Sequence, residues 1–216
     1  SALATQVVTA ATAVLPIPAE MDFAAAATLP VTAMTTIYAM GVLARLGRGE
    51  RVLIHGGLGG VGLAAIQYAR HLGAEIYATA GSPARRSLLR AMGVTHVFDS
   101  RTPNFGDEIL RATGGEGVDV VLNSLSGALM QQSLRLLRPF GRFIEIGKRD
   151  LFANSEIGLR PLRHNATYFA VDVDQLPLLR PQIAAEVLAE ATTLVASGVL
   201  RPLPYPAPAQ MVLLGV

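Results

Sequence analysis

Gly57, Gly59 and Gly62 stand at G-x-G-x-x-G spacing, after the apolar run Val52-Leu53-Ile54-His55 and before an apolar helical run from Val61 to Leu72. A strand, a glycine turn and a helix in that order can bind a pyrophosphate. One glycine makes the tight turn and one lets the backbone approach the anion. One lets the helix pack against the strand, so that free N–H groups at the helix N-terminus face the charge. Gly60 and Val61 lie inside the same cradle. A turn that merely requires small residues is the competing reading. The flanking strand and helix favour a dinucleotide.

The second strand reads Glu75-Ile76-Tyr77-Ala78-Thr79-Ala80 and runs into Gly81-Ser82-Pro83-Ala84-Arg85-Arg86. An NAD site usually carries an acid there for the ribose 2′-OH, and this strand end has none. Ser82 suits a helix N-cap and Pro83 the first helical position. A 2′-phosphate would meet helix N–H groups, Ser82 and Arg85 or Arg86, since a guanidinium grips phosphate in a bidentate way. Arg101, after Asp99 and Ser100 at the end of the third strand, offers a further cation. The expected cofactor is NADP(H) rather than NAD(H). The plainer alternative leaves Arg85 and Arg86 as solvated helix charges.

Two more loops follow buried strands. In Asn123-Ser124-Leu125-Ser126-Gly127 the polar groups can contact a nicotinamide ribose, or Ser126 can cap a helix over 127–137. In Gly147-Lys148-Arg149-Asp150 a desolvated lysine can donate a proton or stabilise a developing enolate. A solvent-facing lysine is the alternative. Asp172 and Asp174 can pair with Lys148 or serve as turn and capping residues. His55, His71, His96 and His164 lack metal-ligand spacing and read as structural, so no metal is expected. No Ser/His/Asp set is placed for hydrolysis.

The elements that must hold these residues alternate from position 51 onward. Strands are expected at 52–55, 75–80, 96–98, 118–122, 142–146 and 166–171. Helices are expected at 61–72, 83–92, 104–112, 127–137 and 180–197. Such alternation implies an α/β fold, a Rossmann-type doubly wound parallel sheet of about six strands whose ligands bind at the strand ends. Residues 22–46 read as one or two helices with Asp22 as cap. Residues 1–20 read as a strand and an extended Leu15–Pro18 connector. We expect residues 1–20 and 201–216 to be remnants of a second domain around a dinucleotide-binding domain at 21–200.

The chain has 216 residues, a net charge of +2, 16% charged residues and no cysteine. That balance gives no case for a nucleic-acid partner. The absence of cysteine excludes disulfides and a thiol nucleophile and fits a reducing, cytoplasmic setting. The uncharged stretch 23–44 is interrupted by Pro30 and four threonines, so no membrane span is expected. The first nineteen residues have no basic region and are broken by Pro16 and Pro18, so they do not read as a signal peptide.

Ala27-Thr28-Leu29-Pro30-Val31 with Thr35 and Tyr38, followed by Val52 to Gly62, resembles medium-chain dehydrogenase/reductases of the zinc-free quinone-reductase branch. Segments 81–86, Val120 to Ser126 and Gly141 to Asp150 narrow the resemblance to the enoyl reductase domains of modular polyketide synthases and the related fatty acid synthase. The resemblance implies NADPH-dependent reduction of the α,β-double bond of an enoyl thioester on an acyl carrier protein. It implies hydride addition at the β-carbon and protonation at the α-carbon. It makes Lys148 the proton donor or enolate stabiliser and Asp174 its partner, or Asp172 if the loop register shifts. It sets Thr35 near the nicotinamide and Arg85 or Arg86, with Arg101, at the 2′-phosphate. The flanking remnants become parts of a GroES-like substrate domain, and neighbouring synthase domains and a homodimer become expected partners. A free-standing quinone or enone reductase and a non-catalytic NADPH-binding module are the alternatives.

Overall fold

The computed structural model describes residue 8 and residues 14–204. The strand expected near the start and the segment beyond 204 lie outside the described residues. Six strands form one parallel sheet: β1 (Arg51–Ile54), β2 (Glu75–Ala80), β3 (His96–Asp99), β4 (Val118–Asn123), β5 (Leu137–Glu145) and β6 (Thr167–Ala170). Their order is β3-β2-β1-β4-β5-β6. The chain thus winds outward from β1 in one direction and from β4 in the other. The crevice between those halves opens beyond the carboxyl ends of the strands, where ligands of such sheets bind.

Strand side chains alternate between two cores. Val52, Ile54, Val120, Leu122 and Ile144 bury into one face. Leu53, Tyr77, Val121 and Phe143 bury into the other. This is the period-two geometry of a sheet covered on both sides. The first face is covered by α2 (Pro30–Thr36), the π-helical turn Ile37–Leu43, α3 (Gly60–Leu72) and the long carboxyl-terminal helix Pro181–Ala196. The second is covered by α5 (Phe105–Ala112) and α6 (Ala128–Leu134), through Phe105, Ile109, Met130 and Leu134.

Helix limits follow local chemistry. Asp22 caps α1 (Phe23–Ala27), its carboxylate accepting from the Ala25 N–H at 2.7 Å. Ser82 caps α4 (Pro83–Ala91) by accepting from the Arg85 N–H at 3.4 Å, with Pro83 at the first helical position. The stretch Phe23–Leu43 is long and apolar enough to cross a membrane. In this fold it is broken into α1, α2 and the π-helical turn, and Ala33, Ile37, Ala39 and Met40 enter the core.

Four expectations change. The helix expected over 127–137 is only Ala128–Leu134, because the chain turns at Arg135 to start β5 at Leu137. Its N-cap is Gly127, at φ 60°, and not Ser126. The fifth strand therefore begins five residues earlier than Arg142 and accommodates a register shift against β4 between Val118 and Val120. Four short helical segments also went unexpected: α7 (Arg149–Phe152), a 3-10 turn at Arg160–His164, and a 3-10 turn at Val173–Gln175 leading into α8 (Leu176–Leu179). The last helix, at Pro181–Ala196, is α9. These segments are too short to show a helical hydrophobic period.

Candidate functional site

The glycine turn sits between β1 and α3, at the point where the sheet's winding reverses. A Cβ at Gly62 would collide with the Gly56 carbonyl oxygen and lie 2.8 Å from Gly57 Cα. Only glycine lets α3 press this closely onto the turn. Gly59 is the N-cap of α3, and its N–H donates to the Gly56 carbonyl at 2.7 Å. Gly60, Val61 and Gly62 form the first turn of α3, whose N–H groups lack partners within the helix. A Cβ at Gly57 would stand 3.2 Å from the Leu89 side chain and 3.3 Å from that of Ala78.

A cleft of about 750 Å³ opens in front of this turn, lined by Gly56, Gly59, Ser82, Arg85, Arg101 and Ser124, among others. The Arg101 side chain lies across Gly81, where a Cβ would stand 2.6 Å from its Nε. Arg85 is exposed and borders the cleft. Arg86 differs: its Nη1 lies 3.0 Å from Asp99 Oδ2 and donates to the Ala80 carbonyl at 3.2 Å. It thereby ties the ends of β2 and β3 together beneath the cleft. Backbone close to open space, helix N–H groups and two cations bordering the same cleft suit a phosphorylated dinucleotide.

On the other half of the sheet, Lys148 follows β5 and Asp172 and Asp174 follow β6. Lys148 Nζ donates to Asp172 Oδ1 at 2.9 Å and to Asp174 Oδ2 at 3.2 Å. Both aspartates engage, and Asp172 is nearer. Asp172 also accepts from the Asp174 N–H at 3.3 Å, which fixes the turn after β6. The lysine is not desolvated as the sequence suggested: 41% of its side chain is exposed. The Asp172 carboxylate, then Asp174, raises its pKa, and Lys148 in turn lowers that of Asp172. The group is a firmly charged ammonium, suited to stabilising an adjacent anion.

Thr35 is buried and donates its hydroxyl to the Val31 carbonyl at 2.7 Å, within its own helix. Asn123 is fully buried. Its Nδ2 donates to the Leu125 carbonyl at 2.8 Å and to Glu145 Oε2 at 2.5 Å. Asn123 thus shapes the loop from beneath, while Ser124, Leu125 and Ser126 face the cleft. Gly147 must be small, since a Cβ would lie 2.7 Å from Glu145 Oε1. Two of the four histidines, His55 and His96, make packing contacts within the fold. His55 is buried between Thr79 Oγ1 at 2.9 Å and Ser133 Oγ at 2.8 Å. His96 stacks on Tyr77 at 4.4 Å between ring centroids. Among the described residues no group of three or more His, Asp or Glu side chains could hold a metal ion.

Sequence reasoning passed over Glu145, which is 1% exposed at the end of β5. An acid closing an apolar strand opposite an asparagine closing its neighbour was the available signal. The two stand in register across β4 and β5.

The zinc-binding dehydrogenase family model matches residues 60–175. The phthioceranic/hydroxyphthioceranic acid synthase of Mycobacterium tuberculosis (strain ATCC 25618 / H37Rv) is 47% identical over 188 residues, 87% of this chain but 9% of that protein. The chain therefore spans under a tenth of that curated relative. Among solved structures, CurK enoyl reductase superposes with a TM-score of 0.83 at 42% identity, over 91% of this chain and 58% of that one. The nucleotide-binding subdomain of the enoylreductase domain of PpsC from Mycobacterium tuberculosis superposes with a TM-score of 0.75 at 45% identity, over 81% of this chain and 97% of that one. With the strand order and the glycine turn, these matches place the chain in the zinc-binding dehydrogenase family, among the enoyl reductase domains of polyketide synthases.

Proposed function

We propose that this chain is the NADP(H)-binding half of a reductase that saturates the α,β-double bond of an enoyl thioester carried by an acyl carrier protein. The observation that carries the reading is the common edge of the sheet. It sets the glycine turn and its cations on one side of the winding reversal and Lys148, clamped by Asp172 and Asp174, on the other. An extended dinucleotide laid across that edge would run from Arg85 and Arg101 towards Lys148, over three strand spacings from the end of β2, or four from that of β3, of about 4.8 Å each. NADPH supplies the hydride that adds to the β-carbon. Gly59 to Gly62 would hold its pyrophosphate at the α3 N-terminus. Ser82, Arg85 and Arg101 would take the 2′-phosphate, while Arg86 holds their strand ends in place. Ser124 and Leu125 would line the ribose on the nicotinamide side, above Asn123, with Thr35 and Gly147 at the nicotinamide end. The Lys148 ammonium would stabilise the enolate oxygen of the thioester and direct a proton to the α-carbon.

In this reading residues 1–20 and 201–216 belong to a substrate-binding domain. The remaining synthase domains supply the carrier protein, and a homodimer is a further expected assembly. Calorimetric titration with NADPH and NADH tests the cofactor half. Preference for NADPH supports the reading, and equal affinity for NADH removes the 2′-phosphate assignment. An assay of the complete reductase on carrier-bound and free enones then separates a synthase domain from a free-standing enone reductase. Full activity of a Lys148→Ala variant would instead leave this chain a binding module.

A further inference from the structure

Glu145 and Asn123 close adjacent strands in register, beneath the two loops that face the proposed dinucleotide. Glu145 Oε2 accepts from Asn123 Nδ2 at 2.5 Å, and Oε1 accepts from the Gly147 N–H at 2.6 Å. Asn123 passes this hold to the cleft wall. Its Nδ2 donates to the Leu125 carbonyl at 2.8 Å, and its Oδ1 accepts from the Leu125 N–H at 3.3 Å. The Asn123 carbonyl accepts from the Ile146 N–H at 3.0 Å. A second tie lies outside the first, where the Gly127 N–H donates to Asp150 Oδ2 at 2.8 Å. The loop that lines the cleft and the loop that carries Lys148 are thereby fastened to each other, with the buried Glu145 carboxylate at the inner tie.

We infer that Glu145 is a positioning residue whose ionised form, gripped by Asn123 and Gly147, holds the cleft wall and the Lys148 loop in the geometry that binds the dinucleotide. The inference rests on the cofactor reading above. Both carboxylate oxygens face donors, so both contacts are charge-assisted and short. Protonation makes one oxygen a hydroxyl, a weaker acceptor, and loosens one of the two loops. Burial is the largest influence on this carboxyl and raises its pKa, while Asn123 and Gly147 hold it down and Asp150 raises it again, leaving it at about 7. Tyr168 on β6 also feels this carboxylate: its hydroxyl is pushed up to about 12, first by burial and then by Glu145 and Asp150. The Lys148 ammonium is engaged by Asp172 and Asp174. The hold therefore loosens as pH falls through neutrality.

The test is calorimetric titration of the unaltered chain and of a Glu145→Gln variant with NADPH from pH 5.5 to 8.5. Glutamine keeps the acceptor for Gly147 but sets an amide NH₂ against Asn123 Nδ2, and so mimics the neutral acid. Titration of the 2′-phosphate is common to both proteins and cancels in the ratio of their affinities. The variant is expected to bind about threefold to tenfold more weakly at pH 8, the worth of one hydrogen bond, with the ratio approaching one at pH 5.5. The Gly147 amide resonance of the unaltered chain should move over the same pH range and stay still in the variant. A ratio that is flat with pH, or a Gly147 amide that does not titrate, overturns the inference while leaving the cofactor reading intact. Failure of the unaltered chain to bind NADPH at any pH overturns the cofactor reading. The link to affinity falls with it, although the Gly147 amide still reports whether the pair itself exists.

Discussion

Arg86 reaches from the first turn of α4 to Asp99 at the end of β3, with Nη1 3.0 Å from Oδ2, while its neighbour Arg85 borders the cleft and makes no ion pair among the described residues. Two adjacent arginines that look alike in sequence therefore have different work. Replacing Arg85 and Arg101 together by alanine should weaken NADPH binding roughly tenfold to a hundredfold and leave NADH affinity unchanged, as measured by calorimetry. Arg86→Ala should act on stability instead. Its ion pair is partly exposed and worth about 0.5–1 kcal/mol, a loss of about 1–3 °C in Tm. A larger loss of NADPH preference in Arg86→Ala than in Arg85→Ala would reverse these assignments.

The two aspartates should set how far into the alkaline range Lys148 stays charged. Asp172 is the largest contributor to the raised lysine pKa. Asp172→Asn should therefore move the alkaline limb of the pH–rate profile of the complete enoyl reductase to lower pH. Lys148→Ala should reduce kcat by about 10² or more with little change in the Kd for NADPH, since the lysine acts on developing charge rather than on the cofactor. An alkaline limb that stays in place in Asp172→Asn would separate it from this lysine.

His55 gives the fold an acid-sensitive point. Ser133 donates its single hydroxyl hydrogen to the Leu129 carbonyl at 2.8 Å, so its oxygen accepts from His55 Nε2, and Nδ1 accepts from the Thr79 hydroxyl. Burial lowers the pKa of this imidazole from 6.5 to about 3. Below 6.5 the unfolded chain takes up a proton that the folded chain refuses. This histidine's own contribution to stability is therefore full above that pH and falls as pH drops towards 3, by at most about 1.4 kcal/mol per pH unit, while the raised pKa of Glu145 works in the opposite direction between 7 and 4.5. A His55→Gln variant should be less stable at pH 7.5 and should lose less between pH 6.5 and 5 in thermal melts. Parallel stability curves would show that another group governs the acid limb.

Gly62 tests the turn. A methyl group there meets the Gly56 carbonyl and the Gly57 backbone, neither of which is the end of a flexible side chain. Gly62→Ala should cost about 1–3 kcal/mol or more in urea unfolding and abolish dinucleotide binding. Gly49→Ala provides a comparison: it carries the strain of a φ of +78° but has nothing within 4 Å of its Cβ, and so should spare binding. Equal stability and binding in Gly62→Ala and the unaltered chain would contradict the close packing of α3 on the turn.

The sequence alone determined the sheet and the glycine turn, and it singled out the polar residues that follow the strands. Continuous apolar runs bounded by glycine and proline can be satisfied only in a sheet buried on both faces, and cap residues such as Ser82 act on neighbours three positions away. The end of the helix at Leu134 and the early start of β5 were not legible, because a tight turn at Arg135 is chosen by pairing with β4 and not by local propensity. Tertiary structure alone decided that Arg86 binds Asp99, that both Asp172 and Asp174 hold Lys148, and that Asn123 faces Glu145 instead of the cleft. Each of those contacts joins residues on different elements of the fold. Their partners are set by strand order and register, which a pattern of apolar and polar residues along one segment does not encode.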